Sequence, residues 1–237
     1  MRTCTVRILF EISYFCLLHQ TVVKHIARAR FRFLRKHIKQ LNAAVKRLDF
    51  TFLDKNEIKN FSIWNTDSLI FGYYETADGY QLAESEAAAK NAFVEKMQDT
   101  FTWISTPGEN MRLMYHDFGV VRESKEMIRH RMFMTKLKPG CEEEYKARHD
   151  ELIAKRNGEI SQGPDSNFSI WSADGYIFGY DEIDTAMEKE ETEEERQFTV
   201  EWETRQLEIM DWITNDVDWL TGEKHACSKR LAWHAGK

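Results

Sequence analysis

The sequence is poor in the residues that mark linkers and disulfide frameworks. Only three of its 237 residues are proline, and no stretch rich in glycine and serine divides the chain. Four cysteines occur, at positions 4, 16, 141 and 227, without a C-x-x-C pair or another metal-ligand spacing. These absences favour a protein that works with reduced cysteines in the cytoplasm.

The chain also lacks a strong excess of charge and a long apolar run. Its net charge is −6, which gives no electrostatic reason to expect nucleic acid as a partner. The apolar stretch Ile8–Val23 is interrupted by Glu11 and His19 and is too short to span a bilayer, so no membrane partner is expected. Basic residues flank it as in a targeting presequence, yet Glu11 and the missing cleavage site favour a divergent start to the first repeat. The role of residues 1–34 is left uncertain.

Several motifs that carry chemistry are missing as well. The chain has no P-loop, no dinucleotide fingerprint and no G-x-S-x-G sequence. His225, Cys227 and His234 crowd the C-terminus, but their spacing matches no metal-ligand pattern, so we expect no metal.

One block of sequence is present twice. Asn-Phe-Ser-Ile-Trp occurs at Asn60–Trp64 and Asn167–Trp171, and Ile-Phe-Gly-Tyr follows at Ile70–Tyr73 and Ile177–Tyr180. Both pairs are separated by 107 residues. Two matched blocks at one offset indicate a tandem duplication of a unit of about one small domain.

The two repeats are expected at residues 35–124 and 125–237. In the second repeat, alternation and helical periodicity predict the order β-α-β-β-α-β, the ferredoxin-like arrangement. Its expected strands are Arg129–Leu137, Asn167–Ser172, Tyr176–Ile183 and Lys229–His234, and its expected helices are Cys141–Arg156 and Glu190–Thr214. The first repeat gives a helix near Arg35–Leu48, a hairpin at Asn60–Glu75, a helix over Gly79–Trp103 and a strand at Met111–Phe118, without an evident opening strand.

This pattern predicts an α+β protein that consists of two ferredoxin-like repeats in one chain. A sheet of this kind has helices on one face and an open apolar face on the other. Two such faces can bury each other in a dimer or within a tandem chain.

A tyrosine and a histidine stand four residues apart on the expected helix Cys141–Arg156. The spacing Tyr145-x-x-x-His149 puts both side chains on one side of the helix, where they can bind one small polar ligand. Histidine can donate or accept a proton near neutral pH. The alternative interpretation is that His149 lies on a solvated, charged helix face beside Arg148 and Asp150.

Aromatic residues alternate along the two strands of the repeated block. Phe168 and Ile170 share one face of their strand, whereas Ser169 and Trp171 share the other. Aromatic rings beside polar groups commonly line sugar sites, although a hydrophobic core is the competing explanation for most of these rings.

These residues together resemble the L-rhamnose mutarotases. The resemblance spans Arg129–His234 in the second copy and runs from Asn60 to about Phe118 in the first. It rests on Leu137-x-Pro139-Gly140, Glu144-Tyr145-x-x-Arg148-His149-x-x-Leu152, Asn167–Trp171 and Ile177-Phe178-Gly179-Tyr180-x-Glu182.

The resemblance implies a dimeric ferredoxin-like α+β barrel that interconverts the α and β anomers of L-rhamnose without a cofactor. It gives His149 the role of proton donor and Tyr145 a contact with the sugar. A hairpin position that is often tyrosine in the family is Phe168 here. The family's tryptophan pair has no direct match near Gln206 and Leu207, so Trp202 or Trp212 is the candidate replacement.

The sequence therefore predicts a cytoplasmic mutarotase acting on a deoxy-hexose such as L-rhamnose, with at most one working site per chain. The first copy has Ile38 and Asn42 where the second has Tyr145 and His149, so it would replace the second subunit of a dimer; a further homodimer is left open. The alternatives are a non-catalytic sugar-binding or structural module and a haem- or quinol-handling monooxygenase with His149 as a ligand. The expected site consists of the catalytic His149 and the substrate-binding Tyr145, Phe168, Trp171 and Trp202.

Overall fold

The computed structural model describes residues 4–13, 50–55, 58–66, 69–77, 104, 111–120, 122, 126–214 and 228–236. The chain forms two compact units, one from residues 1–110 with 229–237 and the other from residues 111–228. In chain order the described elements are β1 Cys4–Ser13, α1 Thr51–Lys55, β2 Lys59–Thr66, β3 Leu69–Ala77, β4 Arg112–Gly119, β5 Ile128–Leu137, α2 Glu142–Lys155, β6 Asp165–Ala173, β7 Tyr176–Asp184, α3 Glu193–Leu207, β8 Met210–Thr214 and β9 Lys229–His234.

Each unit is built on an antiparallel sheet, so the α+β class is confirmed. The helices expected at Arg35–Leu48 and Gly79–Trp103 lie outside the described residues, as do Ile38 and Asn42. In the part of the chain that the structure describes, no helix is long and apolar enough to cross a membrane.

The first unit has the strand order β1-β3-β2-β9. Strand β1 is the opening strand that the sequence did not reveal, and it pairs with β3 from Cys4↔Ala77 to Ser13↔Leu69. Apolar and polar residues alternate along most of it, as is typical of a strand. The second half of this strand overlaps the apolar stretch Ile8–Val23 noted in the sequence. The alternating apolar positions are Val6, Ile8, Phe10 and Ile12, and the apolar Leu9 interrupts them at the register shift between Ile8 and Phe10.

The second unit has the strand order β4-β6-β7-β5-β8. The hairpin between β6 and β7 turns through Asp174 and Gly175, which have φ angles of 48° and 73°. Positive φ at both central residues is the requirement of a type I′ turn, and this pair of residues satisfies it.

The last strand of each sequence repeat joins the sheet that holds the hairpin of the other repeat. Strand β4 ends the first repeat, yet it pairs with β6. Strand β9 ends the second repeat, yet it pairs with β2. The repeat boundaries drawn from the sequence stay a prediction. They divide the duplicated sequence, whereas the compact units divide the folded chain.

The prediction of one helix over Glu190–Thr214 is wrong at its C-terminal end. Helix α3 ends at Leu207, and Met210–Thr214 forms β8 instead. This strand pairs with β5 from Leu137↔Met210 to Met134↔Thr214. Met210 is buried and Asp211 is exposed, which is the alternation of a strand. The hydrogen bonds that this segment makes with the edge of β5 outweigh the helical periodicity of its sequence.

The two copies of the pentapeptide adopt the same local backbone. Asn60 and Asn167 have φ angles of 48° and 51°, and each lies at a register shift of its strand. Asparagine tolerates this left-handed conformation better than most residues, which explains why it begins the motif. In the first unit, Glu75 accepts hydrogen bonds from Asn60 Nδ2 at 2.7 Å and from the Tyr73 hydroxyl at 2.9 Å.

One face of the second sheet carries the core of its unit. Because β4, β6, β7 and β5 are aligned side by side, Tyr115, Ile170, Gly179 and Phe133 project from this same face. Gly179 leaves room for the Phe133 ring, since a Cβ atom at Gly179 would lie 2.1 Å from two ring carbons. The buried core residues are Met114, Tyr115, Leu137, Tyr145, Ile170, Ile177, Ile209 and Met210.

Candidate active site

Helix α2 brings the tyrosine and the histidine into the interior of the second unit. Three glutamates fill its first turn and Lys155 lies in its last, an arrangement that complements the helix dipole. Its buried residues are Tyr145, Arg148 and His149, which share one side of the helix. Tyr145 is 2% exposed and His149 is 5% exposed, so the interpretation of His149 as a solvated surface residue does not fit the structure.

The backbone of α2 fixes the protonation of the His149 ring. Nδ1 lies 2.8 Å from the carbonyl oxygen of Tyr145. A carbonyl can only accept, so Nδ1 carries the hydrogen and Nε2 is left with a lone pair. Burial lowers the pKa of His149 to about 4, and the Tyr145 carbonyl only partly opposes this effect. The imidazole is therefore neutral at pH 7, and Nε2 is a proton acceptor.

Three aromatic rings surround the His149 imidazole. The ring centres of Tyr145, Trp202 and Tyr115 lie 4.3, 5.1 and 5.4 Å from that of His149. The Trp202 and Tyr115 rings meet the imidazole edge to face. These contacts orient the imidazole and give it an apolar enclosure.

Tyr145 is held as a neutral phenol. Burial raises the pKa of its hydroxyl above the ordinary value, and the negative charge of Glu203 raises it further. At neutral pH the hydroxyl therefore keeps its hydrogen and can donate it to a ligand oxygen.

Helix α3 supplies Trp202 and is fixed at both ends. At its start, Thr192 and Glu195 form a capping box, in which each side chain bonds to the backbone N–H of the other residue. Near its end, the buried Arg148 of α2 donates to the Arg205 carbonyl and to Glu208, the latter at 3.0 Å. These bonds set the position of α3 relative to α2 and so place Trp202 beside His149.

Phe168 extends the ring cluster along the sheet. Its ring centre lies 5.4 Å from that of Tyr115 and 6.0 Å from that of Phe133. Phe133 in turn contacts Trp212 at 5.8 Å. Of the residues predicted for the site, the structure thus brings Tyr145, His149, Phe168 and Trp202 into one connected group.

Trp171 is not part of this group. Its neighbour Ile170 projects into the core between the sheet and the helices. Successive side chains of a strand alternate in direction, so Trp171 projects from the opposite face. Its ring is buried there, 4% exposed, and Nε1 makes no hydrogen bond to a described residue.

Tyr115 is a site residue that sequence reasoning missed. It comes from β4 at the end of the first repeat, and no local sequence pattern indicates that this strand pairs with β6. Burial raises the pKa of its hydroxyl to about 12. Arg156 Nη2 lies 3.5 Å from that hydroxyl, and Arg156 also pairs with Asp117 of β4. The last turn of α2 is thereby bound to the strand that carries Tyr115.

The second unit has a surface cleft of about 680 Å³ that none of the rings around His149 lines. It lies next to α3 at Phe198 and Thr199, which precede Trp202 by about one turn. Arg131 on its wall pairs with the fully buried Asp181 at 2.8 Å. Burial raises the pKa of Asp181 to about 7, against the opposing effect of Arg131. The other lining residues are Arg129, Pro164, Asp165, Ile183, Glu188, Lys189, Glu191, Glu194 and Glu195.

Of the three C-terminal histidine and cysteine residues considered in the sequence, the structure describes His234. His225 and Cys227 lie outside the described residues. His234 belongs to the first unit, where its Nε2 lies 2.7 Å from Asp54 and its ring stacks on Phe50 at 5.0 Å. Within the described ranges, no three histidine, cysteine, aspartate or glutamate side chains converge to hold a metal ion.

The comparison with protein families agrees with this geometry. Residues 130–230 match the family model described as L-rhamnose mutarotase. The match confirms the resemblance for the stretch that carries α2, the β6–β7 hairpin and α3. No curated protein and no solved structure matches the chain.

Proposed function

We propose that the second unit is a mutarotase that interconverts the α and β anomers of a deoxy-hexose such as L-rhamnose. The observation that carries the proposal is the buried His149 imidazole, whose Nε2 is an unprotonated acceptor enclosed by Tyr145, Trp202 and Tyr115. The family match over residues 130–230 supports a carbohydrate isomerase of this kind.

The first step of the reaction uses His149 as a base. Nε2 takes the proton of the anomeric hydroxyl, the C1–O1 bond becomes a carbonyl, and the C1–O5 bond breaks with its electrons moving to the ring oxygen. His149 then carries a positive charge, which is paired with the negative charge on the ring oxygen.

The second step returns the proton. The His149 imidazolium donates it to the ring oxygen, which gives the open-chain aldehyde and the neutral imidazole. The two oxygens are bonded to the same carbon, so one imidazole can serve both. Rotation about C1–C2 and the reverse sequence close the ring as the other anomer. His149 is thus an acceptor first and the proton donor that the resemblance implied only afterwards.

Tyr145 and the neighbouring rings bind the sugar in this scheme. The neutral Tyr145 hydroxyl donates to an oxygen at the reacting end. Trp202 and Phe168 provide apolar walls for the C–H faces of the ring. Trp171 has no part in this proposal, because its side chain projects from the other face of β6.

We also propose that the tandem chain replaces a two-chain assembly. Support comes from the shared bulged hairpin of the two pentapeptides, with φ of 48° at Asn60 and 51° at Asn167. The pairing of β4 with β6 and of β9 with β2 supports it as well, because each repeat then supplies a strand to the sheet that holds the hairpin of the other repeat.

Saturation transfer between the anomeric NMR signals of L-rhamnose tests the activity. The wild-type protein is expected to increase the rate of exchange above that of the buffer. His149→Ala should reduce this increase about 10²–10⁴-fold, the usual contribution of a general acid–base group.

The matched control is His234→Gln, which changes a histidine of the first unit. It should retain the wild-type rate. Shifted sugar signals without faster exchange would identify a sugar-binding module instead, and a His149→Ala variant as active as the wild type would disprove the assigned role.

A further inference from the structure

Gln206 is a fully buried amide without a hydrogen-bonding partner among the described residues. It is 1% exposed, and neither its Oε1 nor its Nε2 is bonded. The hydroxyl of Thr135, which is 0% exposed, also makes no hydrogen bond to a described residue. A buried polar group left unpaired destabilises the folded state, so such groups are rare in native proteins and call for an explanation.

Both residues lie in the layer that contains the proposed catalytic pair. Gln206 follows Trp202 by four residues and Glu203 by three, so it shares the buried side of α3 with them. Thr135 stands between Phe133 and Leu137 on the core face of β5.

The end of α3 is attached to the end of β5. Lys138, which follows β5, donates from Nζ to the Leu207 carbonyl at 2.8 Å and from its backbone N–H to the Ile209 carbonyl at 2.8 Å. Lys138 thus ties the end of the helix that carries Gln206 to the end of the strand that carries Thr135.

The chemistry of the two groups suits a neutral polyol. A primary amide offers an acceptor and two donors side by side, which matches two adjacent hydroxyl groups. The threonine hydroxyl both donates and accepts. Neither group brings a charge that would be costly to bury beside an uncharged ligand.

We propose that Gln206, assisted by Thr135, binds the sugar hydroxyls away from the anomeric carbon and so determines which sugars the site accepts. This inference rests on the proposed mutarotase function, in which His149 and Tyr145 engage the anomeric end. A site that hydrogen-bonds a hydroxyl rejects analogues that lack it, because the buried protein groups are then left unpaired.

The first test is the variant Gln206→Met, which keeps the length of the side chain and removes the amide. It should lower kcat/KM for anomer exchange about tenfold or more, and Thr135→Val should lower it less. The same variant should have a melting temperature without sugar equal to or above that of the wild type, since it removes buried unpaired groups. The control Gln197→Met changes an exposed glutamine of α3 and should alter neither value.

The second test compares L-rhamnose with its singly deoxygenated analogues. The wild type should lose activity toward the analogue whose missing hydroxyl faced Gln206, whereas Gln206→Met should treat that analogue and L-rhamnose alike. A general loss of structure would not produce this selective pattern.

These outcomes separate the inference from the proposed function. If the wild type binds L-rhamnose without faster exchange, the mutarotase proposal fails. The inference is then tested by the rise in melting temperature that the sugar causes. Loss of this rise in Gln206→Met supports the role of Gln206 in binding. Wild-type kinetics in Gln206→Met, a melting temperature several degrees lower without sugar, or no binding of L-rhamnose by the wild type would each overturn it.

Discussion

At the scale of the residue, the burial of the His149 imidazole predicts how the activity depends on pH. With a pKa of about 4, the imidazole is neutral throughout the neutral range. The catalysed exchange rate should therefore be level from about pH 6 to 8, and it should fall below pH 5 as Nε2 takes up a proton. Exchange rates corrected for the buffer reaction test this. A rate that rises as the pH falls through 6.5 would show that the resting residue is an acid.

The same pKa predicts how stability depends on pH. The pKa of His149 is lower in the folded protein than the ordinary value of 6.5, so between pH 6.5 and 4 the unfolded chain binds a proton that the folded chain does not. Its contribution to the free energy of unfolding is complete above pH 6.5 and is lost as the pH falls toward 4. Denaturant unfolding should show a weaker decline over this range in His149→Gln, and equal declines would contradict the shift.

Two substitutions of Tyr115 distinguish the packing of its ring against His149 from the role of its hydroxyl. Its ring contacts both His149 and Phe168, whereas its hydroxyl lies 3.5 Å from Arg156, at the limit of a hydrogen bond. Tyr115→Phe should keep kcat/KM within about threefold, because the packing is preserved. Tyr115→Leu should lower it about tenfold or more, because the imidazole loses an edge-to-face partner. Anomer exchange by NMR measures both, and equal activity of the two variants would remove Tyr115 from the site.

At the scale of the element, the second sheet depends on the contact between β7 and β5 at Gly179. Gly179→Ala would place a methyl group against the Phe133 ring, which itself supports Phe168 and Trp212. Overpacking of this kind typically costs about 1–3 kcal/mol of unfolding free energy. The double variant with Phe133→Leu should lose less than the sum of the single effects. Gly163→Ala, at a roomier glycine, is the control, and strict additivity would argue against the contact.

Elements whose signals are local could be predicted from the sequence. Helix α2 and the β6–β7 hairpin follow from dipole-matched charges and from the Asp174–Gly175 turn. The spacing of Tyr145 and His149 predicts that they share one side of the helix, but it does not predict their burial. The end of α3 could not be predicted, because Met210–Thr214 has apolar residues that suit both a helix and a strand. Pairing with β5 makes this segment a strand, and such long-range pairing produces no periodic pattern in the local sequence.

At the scale of the whole molecule, the sheets are completed by strands distant in the chain. Tyr115 could not be assigned to the site from the sequence, since no local pattern shows that β4 pairs with β6 and β9 with β2. The unit that holds His149 is therefore residues 111–228, and the repeat read from the sequence, 125–237, lacks one of its strands.

This difference predicts which fragment is active. A fragment of residues 111–228 contains β4 and should fold and accelerate anomer exchange. A fragment of residues 125–228 lacks β4, so β6 becomes an open edge that favours aggregation, and His149 loses the Tyr115 ring. We expect this shorter fragment to be at least tenfold less active, and a peptide of residues 111–122 should restore part of the activity by pairing with β6. Circular dichroism and NMR exchange on both fragments test this, and a fully active 125–228 fragment would show that β4 is dispensable for the site.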